Sequence, residues 1–138
     1  MLNRKSKPLV LPFLDIFIGV IHVLLILACL LGWMFPRTRR AHLILMGVVV
    51  GCWFLLGLKY GIGYCPLTDW HWQVKEQLGE GSLPHSFIKY IWDKSFPAPI
   101  SPKAVDILTF AAFFISLTAA LYHHFTRKPK PDEDPTPM

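Results

Sequence analysis

Charged residues are scarce in this sequence. They make up 17% of the 138 residues, while hydrophobic residues make up 53%. Soluble globular domains carry about a quarter charged residues, so the shortage argues against a water-soluble enzyme, a disordered protein and a nucleic-acid-binding domain as first choices. The length allows one domain, which we place at residues 1–126. The composition therefore predicts a small integral membrane protein.

Motifs for familiar chemistry are also missing. The sequence contains no recognisable Ser-His-Asp triad, phosphate-binding loop or paired histidine–carboxylate metal motif. Its three cysteines offer no CxxC redox pair and no tetrahedral zinc set. Cys29 and Cys52 lie in apolar runs, where cysteine packs as a small hydrophobic residue. We therefore expect no resident metal or cofactor, and a non-enzymatic role is the first expectation.

Three long apolar runs dominate the chain. They cover residues 13–35, 42–64 and 104–125. Each is long enough for the roughly 20 residues that a transmembrane helix needs, and backbone groups in lipid must be satisfied within a helix. Pro36 and the arginine-rich residues 37–40 make a short hairpin, and Ser101-Pro102 can start the third helix. A cleaved signal peptide is the alternative for the first run, which is long for one.

Basic residues flank these runs and account for the formal net charge of +5. They are Arg4, Lys5 and Lys7, then Arg37, Arg39 and Arg40, then Arg127, Lys128 and Lys130. This placement favours the phosphate headgroups of the lipid bilayer, and not nucleic acid, as the partner. The positive-inside count is a tie between the two sides. The dense arginine hairpin then favours an N-terminus outside and a cytoplasmic C-terminus.

The second connection, residues 65–102, is neither apolar enough to span a membrane nor fully polar. Its pattern predicts two short amphipathic helices that lie in the interface as a cap over the bundle. Thr68 is predicted to cap the first helix and Gly79 to end it, and the second is predicted over residues 84–94. The predicted apolar face of the first helix is Trp70, Val74 and Leu78.

Tryptophans mark the predicted cap as a membrane surface. Aromatic rings favour the interface between lipid and water, so three of the five tryptophans are predicted to be interfacial anchors. They are Trp70, Trp72 and Trp92. The proline-rich and charged residues 127–138 lack the apolar content of a packed segment, and they are predicted to be a disordered tail.

A family resemblance enters at the end of the second apolar run. The segments that carry it are Tyr64-Cys65-Pro66-Leu67-Thr68 and Ser86-Phe87-Ile88. With a histidine in the first span, an arginine-rich hairpin and a basic end after the last span, residues 13–125 resemble a bacterial family of small membrane proteins known as domain of unknown function 2784. The resemblance implies a bacterial inner membrane, the Cys65 segment outside the cytoplasm, and no established activity. The chain departs from the family's acidic residues at Lys59 and at Lys89-Tyr90.

Polar residues inside the spans are the candidates for chemistry. Charges there are costly and suggest function by default. Asp15, Lys59 and Asp106 all lie toward the same side, so Lys59 is expected to come near either aspartate. The alternatives are side chains that reach the headgroups, a structural ion pair, or a proton or ion role. The full candidate cluster is Asp15, His22, Lys59, Cys65, Thr68 and Asp106.

His22 is the deepest titratable group in the predicted spans. A hydrogen-bonded core histidine is the simplest interpretation. A haem ligand is the alternative, although a haem b needs a second histidine at similar depth, and none is evident. Cys65 begins a helix-capping segment, where it is either a turn residue or a reactive thiol.

Glycines in the second run predict close helix packing. Gly47 and Gly51 form one small-xxx-small motif, and Gly57 and Gly61 form another. Their partner can be internal, a second copy or another protein.

Two functions are consistent with the sequence as a whole. The first is a non-enzymatic accessory or scaffold subunit that binds other membrane proteins. The alternative is a small membrane enzyme or transport component with a lipid-, quinone- or haem-binding pocket under the cap.

Overall fold

The computed structural model of the chain describes residues 8–127, and within that range it contains helices and no strand. The helices are α1 (Val10–Leu31), α2 (Arg39–Gly51), α3 (Gly57–Tyr60), α4 (Pro66–Gln77), α5 (Phe87–Ser95) and α6 (Pro102–Phe125). A 3₁₀ turn (Gly32–Met34) extends α1, and a π-helical segment (Cys52–Leu56) joins α2 to α3. Apart from Arg127, the predicted disordered tail lies outside the described residues, as do Arg4, Lys5 and Lys7.

Three helical stretches are long and apolar enough to cross a membrane, which confirms the predicted fold class. We call them span one (Val10–Met34), span two (Arg39–Tyr60) and span three (Pro102–Phe125). Their outer surfaces carry exposed large apolar side chains such as Ile16, Leu58 and Ile107. Lipid is the solvent that suits such a surface, because its hydrocarbon chains are as apolar as these side chains.

The ends of the spans follow from local sequence. Span three starts as expected: the side chain of Ser101 accepts a hydrogen bond from the Ala104 N–H at 3.2 Å, and Pro102 occupies the first turn. Span two ends at Tyr60 and not at Tyr64 as predicted. Gly61 follows with φ of 108°, which side chains disfavour and which turns the chain out of the helix.

Aromatic packing joins spans two and three. Trp53, in the π-helical segment, lies with its ring centroid 4.6 Å from the centroids of both Phe110 and Phe113. Phe113 is buried together with Met46 of span two and Ala120 of span three. Much of the buried apolar core of the protein therefore lies between these two helices, where small and large side chains pack together.

A group of hydrogen bonds joins all three spans near the arginine hairpin. We call His42, Ser116 and the Cys29 carbonyl the hairpin-end cluster. The Cys29 carbonyl accepts hydrogen bonds from His42 Nε2–H at 2.9 Å and from Ser116 Oγ–H at 2.5 Å. Both side chains are buried. Hydrogen bonds between helices hold membrane bundles together where apolar contact with lipid cannot.

The glycines that make close contacts are not the ones predicted. A Cβ at Gly47 or Gly51 would meet no atom of the described chain within 4 Å, and Gly61 lies beyond the end of span two. Gly57 does make a close approach, but to the backbone of Ile62 in the following turn. Among residues 8–127, no internal helix partner is therefore seen for Gly47 and Gly51. Gly32 is the tightest position, since a Cβ there would lie 2.7 Å from the His42 ring.

The two short helices of the second connection are present, with α4 placed differently from the prediction. His71 lies against Gly19 of span one, and Lys75, one turn later, contacts Asp15, one turn earlier. The helix α4 therefore runs antiparallel along the first half of span one. These contacts lie beside the span, so they do not confirm an interfacial position for α4.

Candidate functional site

The buried face of α4 is largely polar. It consists of Thr68, His71, Val74 and Lys75, at the three- and four-residue spacing of one helix side. Trp70, predicted on the buried face, is 60% exposed. Thr68 lies inside the helix and does not cap it, because α4 begins earlier, at Pro66, a residue suited to the first turn. The predicted cap is therefore wrong, and of the predicted apolar face Val74 is buried, Leu78 is half-buried and Trp70 is exposed.

An ionised cluster forms where α4 meets span one. Asp15 Oδ1 accepts a hydrogen bond from His71 Nε2–H at 2.7 Å, and it lies 2.9 Å from Lys75 Nζ. Lys75 Nζ also lies 3.4 Å from Glu80 Oε1 in the loop after α4. We call Asp15, His71, Lys75 and Glu80 the charged cluster. Since a carboxylate can only accept, His71 carries its proton on Nε2, and its buried Nδ1 has no hydrogen-bond partner.

Gly19 shows how close α4 comes to span one. A Cβ at Gly19 would lie 3.4 Å from His71 Cε1, which is an ordinary van der Waals distance. Gly19 stands one helical turn after Asp15, on the same face of span one. The histidine ring therefore lies next to the backbone of the span while it donates to Asp15.

Burial and local contacts have opposite effects on the pKa of Lys75. Burial by itself lowers the pKa of this ammonium, but contacts with Tyr90 and Asp15 outweigh it and hold the pKa above its ordinary value. Nζ lies 4.7 Å from the centroid of the Tyr90 ring, whose hydroxyl donates to Glu80 Oε2 at 3.2 Å. Lys75 is therefore a fixed positive charge between two carboxylates. Besides His71, the charged cluster contains two carboxylates and one lysine.

Aromatic side chains close the inner side of the site. His22 stacks on Phe87 with ring centroids 4.0 Å apart and an interplanar angle of 9°. Phe87 also contacts the rings of His71 and Trp72. Trp72 Nε1–H donates to the Pro84 carbonyl at 2.8 Å, which ties α4 to the segment that leads into α5. His22 is thus a buried packing residue with its Nδ1 unpartnered.

A groove of about 340 Å³ runs from the charged cluster along span one. Its polar end is formed by Asp15, His71 and Lys75. Its apolar walls are Ile16, Gly19, Val20, Val23 and Leu24 of span one, with Phe87, Tyr90 and Ile91 of α5. From Asp15 to Leu24 the helix rises about 13 Å. The groove therefore has one charged end and a long hydrocarbon wall.

The predicted candidates divide into those at the groove and those away from it. Asp15 lines the groove and His22 packs behind it. Lys59 is exposed, with Nζ 5.3 Å from the Tyr60 ring, and the ion-pair partner of Asp15 is Lys75. Asp106 is half-buried and makes no ion pair within residues 8–127. Cys65 is half-buried and immediately precedes α4.

The predicted tryptophan anchors also differ from one another. Trp70 is exposed, as an anchor must be. Trp72 is half-buried, and Trp92 Nε1–H donates to the Ala98 carbonyl at 3.0 Å. Anchoring at the interface stays a prediction for all three.

His71, Lys75, Glu80 and Tyr90 are the site residues that the sequence reasoning missed. A usable signal was present. An aspartate inside a span needs a partner, and His71 and Lys75 stand four residues apart on the next short helix, where two groups can face one carboxylate. Val74 is indeed buried, but its regular spacing with the exposed Trp70 hid the polar residues that share its face.

Comparison with known protein families gives a match. The model of a family described as "Protein of Unknown function (DUF2784)" matches residues 12–122, most of the chain, including Asp15, His71, Lys75 and Tyr90. No curated protein and no solved structure matches the chain significantly. Within residues 8–127, no three His, Cys, Asp or Glu side chains form a set that could hold a metal ion.

Proposed function

The chain belongs to the DUF2784 family, and on that premise we propose that it binds an amphiphilic molecule drawn from the bilayer. The apolar part of the ligand lies along span one, and its polar group meets Asp15. One observation carries the proposal: the groove has the charged cluster at one end and aliphatic walls along its length.

Entry from the side, through lipid, is supported by the outer wall of the groove. Ile16 is 67% exposed and Val20 is 53% exposed, although both line the groove. Both side chains therefore face the groove and the lipid. A hydrocarbon chain can pass from the lipid into the groove at this wall without crossing water. Apolar clefts with a few polar groups at one end are the usual form of a small-molecule site.

The charge of the cluster favours a hydrogen-bond donor as the polar group. Asp15 Oδ1 is used by His71 and Lys75, whereas Oδ2 has no hydrogen-bond partner among the described residues. The Asp15 side chain is 23% exposed, against 3% for His71 and 5% for Lys75. A ligand hydroxyl therefore meets an available carboxylate oxygen, and the two carboxylates of the cluster repel an anionic headgroup. A lipid alcohol or a quinol has this chemistry.

Photolabelling with two matched probes tests the proposal. The protein in mild detergent is exposed to a photoreactive long-chain alcohol and to the carboxylic acid of the same chain length, and labelled peptides are identified by mass spectrometry. We expect the alcohol to label peptides from span one and α5, and the acid to label them several-fold less.

A groove-filling variant and a control locate the label. Val20→Trp fills the groove wall and should abolish labelling. Ile107→Trp places the same ring on an equally lipid-exposed position of span three and should leave labelling unchanged. Equal loss in both variants, or equal labelling by alcohol and acid, would overturn the proposal.

A scaffold role is the second candidate. It is supported by Gly47 and Gly51, which leave the backbone of span two open to a helix from another protein, with no described residue of this chain against them. Cross-linking of the full-length protein in native membranes tests it. Gly47→Leu should remove the cross-linked partner, and a partner retained in that variant would contradict the role.

The proposed location is the bacterial inner membrane, with the second connection outside the cytoplasm. The dense arginines between spans one and two support this orientation through the positive-inside rule. Gly81 lies in an open loop of the second connection, where a Cβ meets nothing within 4 Å. In a background without native cysteines, Gly81→Cys should react with a membrane-impermeant maleimide in intact cells. Reaction only after lysis would indicate the opposite orientation, with the second connection in the cytoplasm.

A further inference from the structure

The opposite end of the bundle carries a second groove, independent of the charged cluster. It has a volume of about 650 Å³ and lies over spans one and three. Its lining is Trp33, Phe114, Ile115, Thr118, Ala119, Tyr122 and His123. Ile115 and Tyr122 are largely exposed, so the groove is open on its lipid side. Trp33 stacks on His123 with centroids 5.8 Å apart, which closes its end.

Arg39 is bonded to a residue that lines this groove. Its Nε–H donates to the Trp33 carbonyl at 3.0 Å, which ties the guanidinium to the backbone of Trp33. The two Nη groups make no hydrogen bond to residues 8–127. A guanidinium with free Nη donors is the side chain that binds a phosphate in a bidentate manner.

The charge at this end has one sign. Residues 32–42 and 118–127 contain four arginines and no Asp or Glu. The described acidic residues belong instead to span one before His22, to the second connection and to the start of span three. An occupant with a negative headgroup and a hydrocarbon chain is therefore complementary to this end, and an occupant with a positive headgroup is repelled.

From this arrangement we infer that the second groove binds one anionic phospholipid. Its phosphate lies on Arg39, and one acyl chain runs along Ile115 and Thr118 of span three. The aromatic residues Trp33 and Tyr122 flank the level where headgroup and chain meet, which is the position that such rings favour. The site does not depend on the proposed amphiphile groove, since the two share no lining residue.

Native mass spectrometry measures the lipid directly. The purified full-length protein is mixed with equal amounts of dioleoyl phosphatidylglycerol and dioleoyl phosphatidylcholine. We expect one tightly retained lipid, with the phosphatidylglycerol adduct preferred several-fold: both lipids offer a phosphate to Arg39, but the choline cation of phosphatidylcholine is repelled by the arginines at this end. Arg39→Gln should remove the preference. Glycerol phosphate in excess should not displace the lipid, since the acyl chain is part of the binding.

Two further variants make the result decisive. Arg37→Gln removes the same charge from an exposed arginine, whereas Arg39 is half-buried and bonded to Trp33 of the lining, so this variant should keep the preference. Thr118→Trp fills the groove without changing charge and should release both lipids. An equal loss in R37Q and R39Q would show diffuse attraction only, and full retention in T118W would show a lipid bound elsewhere. Either result overturns the inference, as does a wild-type protein with no preference.

Discussion

Two buried polar clusters join span one to its neighbours, and they differ in charge. The hairpin-end cluster contains no carboxylate, lysine or arginine: His42 and Ser116 both donate to the Cys29 carbonyl, and neither lines a groove described above. The charged cluster places Asp15 and Lys75 together at the end of an open groove. The comparison separates a structural connection from a candidate binding site.

The energetics of the two clusters support this division. Hydrogen bonds between membrane helices contribute about 0.6 kcal/mol on average, at little desolvation cost when the groups are neutral. A buried ion pair is an inefficient way to gain stability, since the cost of desolvation can exceed the Coulombic gain. Stability alone therefore explains the hairpin-end cluster, whereas the charged cluster calls for a further role at Asp15.

The largest expected effect follows from removing one partner of the ion pair. Lys75→Met leaves Asp15 without its cation, and we expect a loss of about 2–3 kcal/mol, because an unpaired buried charge is costly. Thermal unfolding in detergent measures it. The matched control is Lys89→Met, which breaks the exposed Lys89–Asp93 pair within α5 and should cost less than about 1 kcal/mol. Equal losses of stability in the two variants would mean that the Lys75–Asp15 pair contributes no more than an exposed ion pair.

Glycines next to the two clusters give the second prediction. Gly32→Ala puts a Cβ 2.7 Å from the His42 ring at the hairpin-end cluster, and overpacking should cost about 1–3 kcal/mol. Gly47→Ala meets no atom within 4 Å and should be neutral or stabilising by up to about 1 kcal/mol. Unfolding of both variants in the same detergent checks this. A harmless G32A would mean that His42 is not held against span one.

The smallest expected effect is the response of Lys75 to pH. Its folded-state pKa is raised, so its contribution is complete below the unfolded-state pKa of about 10.4 and is lost as pH rises through the folded-state value. The difference in unfolding temperature between wild type and K75M should therefore stay constant from about pH 6 to 9, and shrink only above about pH 10. A difference that grew with rising pH would contradict the charge assigned to Lys75.

Much of the architecture could be predicted from the sequence, because hydropathy alone marks segments that must hydrogen-bond within themselves in lipid. Asp15 and His22 were found for a related reason, since titratable groups stand out in apolar runs. His71 and Lys75 could not be separated from the polar face of an amphipathic helix, as their burial depends on a carboxylate 56 or more residues earlier in the chain.

Backbone geometry explains the other differences. The end of span two depended on the positive φ of Gly61, which no hydropathy pattern reveals. The small-xxx-small motifs pointed to Gly47 and Gly51, which have no facing helix among the described residues, whereas the tightest contact is at Gly32, opposite His42. A glycine shows where another group can approach, but the sequence does not say which group does so.

Binding of the long-chain alcohol probe to Asp15→Asn, compared with Ser116→Ala, tests the central claim most directly. D15N keeps the shape of the charged cluster and removes the carboxylate charge, while S116A weakens only the hairpin-end cluster. The proposal predicts that D15N loses photolabelling of the groove and that S116A keeps it at the wild-type level. Labelling retained in D15N, or lost equally in both variants, would contradict the assignment of Asp15 as the binding residue.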